Sequence, residues 1–145
     1  MNDLIKMWLK STPKELNQVF SAVPAGDIPP GDTKGTFIMP VPGSRILALI
    51  TRLLIWTGKI FIQKQGSSVL INKLLPLKLT FVVALVYKGP SKYDNKEAIV
   101  IDYSDTSFFF GKVRDEIREI SNGIYLGKIW IGNKEVGYFA LEAKK

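Results

Sequence analysis

The sequence of 145 residues contains no cysteine and no histidine. Without cysteine it can form no disulfide and has no thiol nucleophile, and without histidine it lacks both the usual imidazole base and the most common ligand of zinc and haem. Ser-His-Asp and Cys-His catalysis are therefore excluded. We expect no metal and no cofactor, and any acid–base chemistry would depend on carboxylates, lysine or tyrosine.

Long apolar runs are also missing. Lys6 interrupts the apolar residues at the start of the chain, and the most apolar stretch, 46–56, contains Arg52 and is shorter than the ~18 residues of a spanning helix. We therefore expect a cytoplasmic protein that folds as a single domain over 1–145. Within it, residues 1–34 are expected to form a helical segment and loop, and residues 35–145 a barrel.

Helix signals lie in the first third of the chain. Thr12 precedes Pro13 and Glu15 in a capping box, and apolar residues then recur at helical spacing to Val23. After a short strand at 36–39, a second apolar pattern over 44–56 predicts a helix inserted between the first two strands.

The remaining residues show the alternation and turn signals of an antiparallel sheet. Asn122-Gly123 and Gly132-Asn133 predict tight hairpins, and further strands are predicted at 60–63, 69–71, 77–87 and 98–103. Residues 112–120 fit a helix as well, but the Asn-Gly turn needs an antiparallel partner, which favours a strand. The count of about eight short strands indicates a mainly β protein built as an antiparallel barrel or sandwich, of which we expect the barrel.

Charge is distributed unevenly. Between Asp32 and Asp94 there are nine basic residues and no acidic one, and the whole chain has a formal charge of +7. Such a basic half suggests a carboxylate, a phosphate head group or a membrane surface as partner, although it is equally typical of a solvated surface. The basic residues are dispersed and no recognition motif accompanies them, so nucleic acid is not indicated.

Five of the six residues at 114–119 are charged, and all six lie along one predicted strand. Arg114, Glu116 and Arg118 share one face, and Asp115 lies on the other with Ile117. A two-residue turn would place Leu126, Lys128 and Trp130 beside the Asp115 face, and Tyr125, Gly127 and Ile129 beside the Arg118 face.

One face of this strand must point into a closed barrel, where a charge needs a partner or a ligand. An inward arginine could hold a carboxylate by two parallel hydrogen bonds. The alternative is a solvent-facing ladder of Arg–Glu pairs at an open part of the sheet.

A set of short motifs resembles the uncharacterised GXWXG-type family, with Thr33 where that family has its motif tryptophan. The motifs are Gly31–Gly35, Trp56-Thr57-Gly58-Lys59-Ile60-Phe61, Asn72, Asp102-Tyr103, Leu126-Gly127 and Phe139. The resemblance implies a calycin-like barrel, similar in outline to lipocalins and fatty-acid-binding proteins, with no assigned activity.

Together these features predict non-catalytic binding of a small hydrophobic or amphipathic ligand with an anionic head, such as a lipid or fatty acid, inside the barrel. The candidate ligand-binding residues are Lys59, Asn72, Tyr103, Arg114 and Arg118 for the head, and Phe61, Phe81, Tyr125 and Trp130 for the body. One alternative is a peripheral membrane or protein-interaction module that uses the basic helix 44–56. Another is a barrel enzyme in which a carboxylate and Tyr103 or Lys59 transfer protons. The oligomeric state is not predicted.

Overall fold

The computed structural model describes residues 1–44, 55–65, 67–75, 83–105 and 111–144. Within these ranges it has two helices, α1 (Asp3–Trp8) and α2 (Pro13–Ser21), and eight strands. The strands are β1 (Thr33–Pro40), β2 (Ile55–Lys64), β3 (Ser67–Leu75), β4 (Val83–Pro90), β5 (Glu97–Asp102), β6 (Val113–Ser121), β7 (Ile124–Ile131) and β8 (Lys134–Ala143).

All eight strands belong to one antiparallel sheet in the order β1-β8-β7-β6-β5-β4-β3-β2. The two end strands meet at a seam, where the Thr33 hydroxyl donates to the Lys59 carbonyl at 2.7 Å and accepts from the Lys59 N–H at 3.1 Å. The Phe61 N–H also donates to the Gly31 carbonyl at 2.9 Å. The sheet is thereby a nearly closed barrel, which confirms the prediction of a mainly β, eight-stranded antiparallel fold.

Gly58 allows the seam to close so tightly. Its φ is +143°, and a Cβ there would lie 2.2 Å from the Thr33 carbonyl oxygen. We expect Gly58→Ala to lower the free energy of unfolding by about 2–5 kcal/mol, the sum of backbone strain and steric overlap. Gly31→Ala is the matched control, because Gly31 has φ +78° but open space around its Cβ position, and should cost only about 1–2 kcal/mol. Equal losses in urea unfolding would contradict this account of the seam.

The barrel has two apolar cores, one on each face of the sheet. The interior core draws on seven of the eight strands and contains Phe61, Leu70, Ala84, Val86, Ile99, Ile101, Tyr103, Ile117, Tyr125, Phe139 and Leu141. The second core lies outside, where α1 and α2 pack Ile5, Trp8, Leu16 and Phe20 on the outer face of β1, β5, β7 and β8. Because both faces of β7 are covered, burial along it is almost continuous and does not alternate.

The predicted capping box is confirmed. Thr12 accepts a hydrogen bond from the Glu15 N–H at 3.3 Å, and the Glu15 carboxylate accepts from the Thr12 N–H at 2.7 Å. The prediction of a strand over 112–120 is confirmed as well, since β6 begins at Val113. None of the helices in the described ranges is long and apolar enough to cross a membrane.

Two predicted boundaries need correction. The helix expected at 44–56 cannot extend to its predicted end, because Ile55 and Trp56 belong to β2, while residues 45–54 lie outside the described residues. The strand expected from residue 77 is seen from Val83 onward as β4, and residues 77–82 again lie outside the described residues.

The register predicted across the Asn122-Gly123 turn is wrong by one residue. Gly123 takes φ +74°, and a bulge between Glu119 and Ser121 adds a residue to β6. Arg118 consequently pairs with Leu126, and Asp115 with Ile129. Since a slip of one residue exchanges the two faces of a strand, every predicted neighbour across this hairpin is on the opposite face.

Candidate functional site

Three ionisable side chains meet inside the barrel and form what we call the interior polar cluster: Lys59, Tyr103 and Asp115. The Lys59 ammonium lies 2.9 Å from the Asp115 Oδ2 and 2.8 Å from the Tyr103 hydroxyl. The phenol is in turn 3.3 Å from the same carboxylate oxygen. All three residues are at most 5% exposed, so the cluster is almost completely removed from bulk water.

Three separate strands bring the cluster together. Lys59 lies on β2 opposite Asn72 of β3, Asp115 lies on β6 opposite Ile101 and Ile129, and Tyr103 directly follows β5. Lys59 and Asp115 occupy inward positions of their strands, and Tyr103 continues the inward alternation of Ile99 and Ile101. The centre of the Phe139 ring from β8 lies 5.5 Å from the Lys59 nitrogen. The cluster thus combines charge with an aromatic surface.

The two ends of the barrel differ. Tyr103 and Asp115 lie near the end at which the β1–β2, β3–β4 and β5–β6 connections leave the strands. At the opposite end Ala25 and Ile28 contribute to the interior core, and the Tyr125 hydroxyl donates to the Asp27 carbonyl at 3.0 Å. Burial there raises the pKa of Tyr125. Within the described residues, the N-terminal segment therefore packs over one end, and the polar cluster lies toward the other.

Electrostatics keep Lys59 cationic. Burial on its own would lower the pKa of this ammonium, but the Asp115 carboxylate and the Tyr103 hydroxyl together raise it above the ordinary value. Lys59 is therefore protonated at neutral pH. It lies in an apolar interior as a hydrogen-bond donor whose charge is compensated by Asp115.

A second set of buried charges lies on the outer face of the sheet, under α2. The Arg118 side chain is fully buried and forms a bidentate pair with Asp94, with both N–O distances at 2.7 Å. Its remaining donors reach the carbonyls of Phe20 at 3.0 Å, Lys96 at 3.1 Å and Glu97 at 3.0 Å. All five N–H groups of the guanidinium are thus used within the protein. This pairing lowers the pKa of Asp94.

Lys128 is the least expected member of this outer set. Its nitrogen lies 4.0 Å from the centre of the Tyr93 ring, 4.8 Å from that of Tyr138 and 5.2 Å from that of Phe20. It also donates to Asn17 and, at 2.9 Å, to Glu135. Burial lowers the pKa of Lys128, and Glu135 opposes that effect. This cation stabilises the packing of α2 on the barrel through its contacts with aromatic rings and its hydrogen bonds.

The structure divides the predicted ligand-binding residues between the two faces. Lys59, Phe61, Tyr103 and Tyr125 face the interior. Arg114, Arg118 and Trp130 lie on the outer face, because the bulge in β6 directs Asp115 inward, so none of the three can anchor a molecule inside the barrel. Asn72 lies in β3 opposite Lys59, and Phe81 is outside the described residues.

Asp115 is a central site residue that was missing from the predicted set. The sequence did contain a signal for it, since an inward Lys59 requires a counter-ion and the predicted strands contain a few acidic residues, among them Asp102, Asp115, Glu116 and Glu119. Choosing Asp115 among them required the register of β6. That register depends on the bulge, which the turn motif did not predict.

Comparisons with known proteins support the fold alone. The chain is similar to a crystal structure of a protein from Thermomonospora curvata, with 13% sequence identity and a TM-score of 0.57 over 93% of this chain and 89% of the other. Its description gives neither ligand nor activity. No protein-family model matches the sequence, and no curated protein does either.

Proposed function

We propose that this barrel binds a small amphipathic molecule, with the apolar body against the interior core and an oxygen-bearing head at Lys59 and Tyr103. The observation that carries the proposal is the interior polar cluster. Burying an ion pair and a phenol in an apolar interior contributes little to stability, because desolvation offsets the attraction between the charges. A buried group whose pKa is shifted by burial and by a specific charge partner, as that of Lys59 is, marks a candidate functional site.

The donors of the cluster suggest the chemistry of the head. The ammonium donates to the phenol oxygen at 2.8 Å, and the phenol O–H donates to Asp115 at 3.3 Å. A ligand oxygen beside this pair would accept from the ammonium, and from the phenol if its single O–H turned away from Asp115. Because Lys59 stays protonated, a carboxylate is the first candidate, as in a fatty acid, and an uncharged hydroxyl or carbonyl is a weaker one. The neighbouring ring of Phe139 offers apolar contact to the first carbons of the chain.

Fluorescent displacement is the direct test. Bound cis-parinaric acid should be displaced by decanoate at a lower concentration than by decanol, because only decanoate carries a charge for Lys59. In the double variant Lys59→Met/Asp115→Leu, which leaves no unpaired charge, we expect decanoate affinity to fall by roughly tenfold or more, the usual weight of one charge-assisted hydrogen bond. Decanol affinity should change less.

Lys112→Met is the matched control, since Lys112 is exposed and lies in the β5–β6 connection at the same end of the barrel. Its decanoate affinity should equal that of the unaltered protein. The proposal fails if the folded double variant binds decanoate as the unaltered protein does, or if no apolar probe binds either of them.

The same cluster bears on the enzyme alternative. A protonated Lys59 cannot act as a base at neutral pH, so proton transfer would have to depend on Tyr103 and Asp115. Both of these groups already hold Lys59 in place through contacts of 2.8 and 2.9 Å. This arrangement supports a binding role more directly than a catalytic one.

A further inference from the structure

One row of inward residues lies between the interior polar cluster and the end of the barrel that the N-terminal segment covers. This Gly127 row consists of four residues paired across neighbouring strands: Ile99 of β5, Ile117 of β6, Gly127 of β7 and Phe139 of β8. Ile117 follows Asp115 by two positions on β6, which places the row about 7 Å along the strand from that carboxylate. Two positions further on, the Glu119 N–H donates to the Ala25 carbonyl at 3.1 Å. A ligand with its head at Lys59 and its body in the interior core therefore lies along this row.

Gly127 leaves a gap in the row, and the ring of Phe139 occupies it. A Cβ at Gly127 would lie 2.3, 2.4 and 2.7 Å from the Cζ, Cε1 and Cε2 atoms of that ring. All three atoms belong to the far end of the side chain, so the ring leans sideways from β8 over β7 and lies along the barrel wall. A ring in this position takes up less of the width of the interior than a ring that points toward the barrel axis.

The backbone at position 127 does not itself require glycine. The φ of Gly127 lies outside the left-handed region, and the residue is regularly paired on both sides, with Ile117 and with Phe139. Glycine in the interior of a strand lowers stability and commonly marks a close approach of another group. Here that group is the Phe139 ring, whose centre is also 5.5 Å from the Lys59 nitrogen. The glycine thus determines where an aromatic surface lies next to the proposed head-group site.

We propose that the Phe139 ring is the wall against which the apolar chain of the ligand lies, and that Gly127 is a positioning residue that keeps this ring out of the path of the chain. The inference rests on the proposed function, because it assigns the path that the apolar body takes from the head at Lys59 into the interior core. It adds a requirement of shape that is independent of the charge of the head.

Displacement of cis-parinaric acid by decanoate and by decanol tests the proposal in the variant Gly127→Ala. The added methyl group must move the Phe139 ring by roughly 1 Å to reach an ordinary contact distance, and the wall leaves the ring no direction but inward. We expect the affinities for decanoate and decanol each to fall by about tenfold, because overpacking obstructs the chain that both molecules share. The variant Lys59→Met/Asp115→Leu differs, since it should affect mainly decanoate.

Removal of the ring should relieve the obstruction. Phe139→Leu should lower the affinity for both molecules by about threefold, since the chain loses apolar contact. Gly127→Ala/Phe139→Leu should bind as Phe139→Leu does, and better than Gly127→Ala, because the methyl group no longer meets a ring. Gly89→Ala is the matched control, since Gly89 is a glycine of β4 whose Cβ would lie 3.2 Å from the Tyr87 ring, away from the interior core. It should bind both molecules as the unaltered protein does.

The inference is overturned if Gly127→Ala, folded by circular dichroism, binds both molecules normally or loses decanoate alone, or if the double variant binds no better than Gly127→Ala. If Gly127→Ala does not fold, the other two variants decide, and normal binding by Phe139→Leu overturns the inference. A normal Gly127→Ala beside the expected loss in Lys59→Met/Asp115→Leu refutes this inference and leaves the proposed function standing. If no apolar probe binds the unaltered protein, both are refuted.

Discussion

Arg118→Ala should lower the free energy of unfolding by about 3–5 kcal/mol, the cost of breaking a buried ion pair by removing one partner. The loss is large because one guanidinium satisfies five acceptor contacts. Asp94 would keep its charge in a mostly buried position, with a side chain only 14% exposed. The carbonyls of Phe20, Lys96 and Glu97 would each lose a donor. Urea unfolding followed by circular dichroism measures the change.

Two further variants separate the geometry of Arg118 from its charge. Arg118→Lys keeps the charge but cannot form the two parallel bonds to Asp94, so it should recover only part of the loss. Lys144→Ala removes a cation from the exposed pair with Asp32, where the side chains are 57% and 36% exposed, and should cost about 0–1 kcal/mol. The interpretation is wrong if Arg118→Lys is as stable as the unaltered protein, or if Arg118→Ala costs no more than Lys144→Ala.

Lys59→Met is the second variant for which we expect a large loss of stability, and a further substitution at Asp115 should reverse most of that loss. Alone it leaves Asp115 without its cation inside the barrel, and the free energy of unfolding should fall by about 3–5 kcal/mol. Adding Asp115→Leu removes the unpaired carboxylate and should recover most of the lost stability, because an apolar pair of similar volume can replace a buried ion pair at little cost.

The stability of the four proteins in this double-mutant cycle can be compared by urea unfolding. If the double variant is as unstable as Lys59→Met, the fold requires the ion pair. The argument that the pair contributes little to stability, and is therefore functional, would then fail. If the double variant regains stability but not decanoate binding, stability and binding are separated at one site. That result would indicate that the ion pair serves recognition more than folding.

Local sequence signals were sufficient for several elements. The capping box at Thr12 was predicted because Pro13 and Glu15 act within one helical turn. The hairpin turns at Gly123 and Gly132 were predicted from the pairs Asn122-Gly123 and Gly132-Asn133. Both glycines take the positive φ that such turns require. The prediction that β6 directs a charged residue into the barrel is confirmed, since both of its faces carry charge. The residue is Asp115, whereas Arg118 lies outside.

The class of fold and the number of strands could be predicted from local patterns, because alternation and turn chemistry act over a few residues. Which charges share a site depends instead on how distant strands pair. One extra residue at the β6 bulge exchanges the two faces of the strand, so Asp115 joins Lys59 inside while Arg118 is held by Asp94 outside. Contacts 56 residues apart in the chain, such as that of Lys59 with Asp115, depend on the closure of the barrel, which no local pattern specifies.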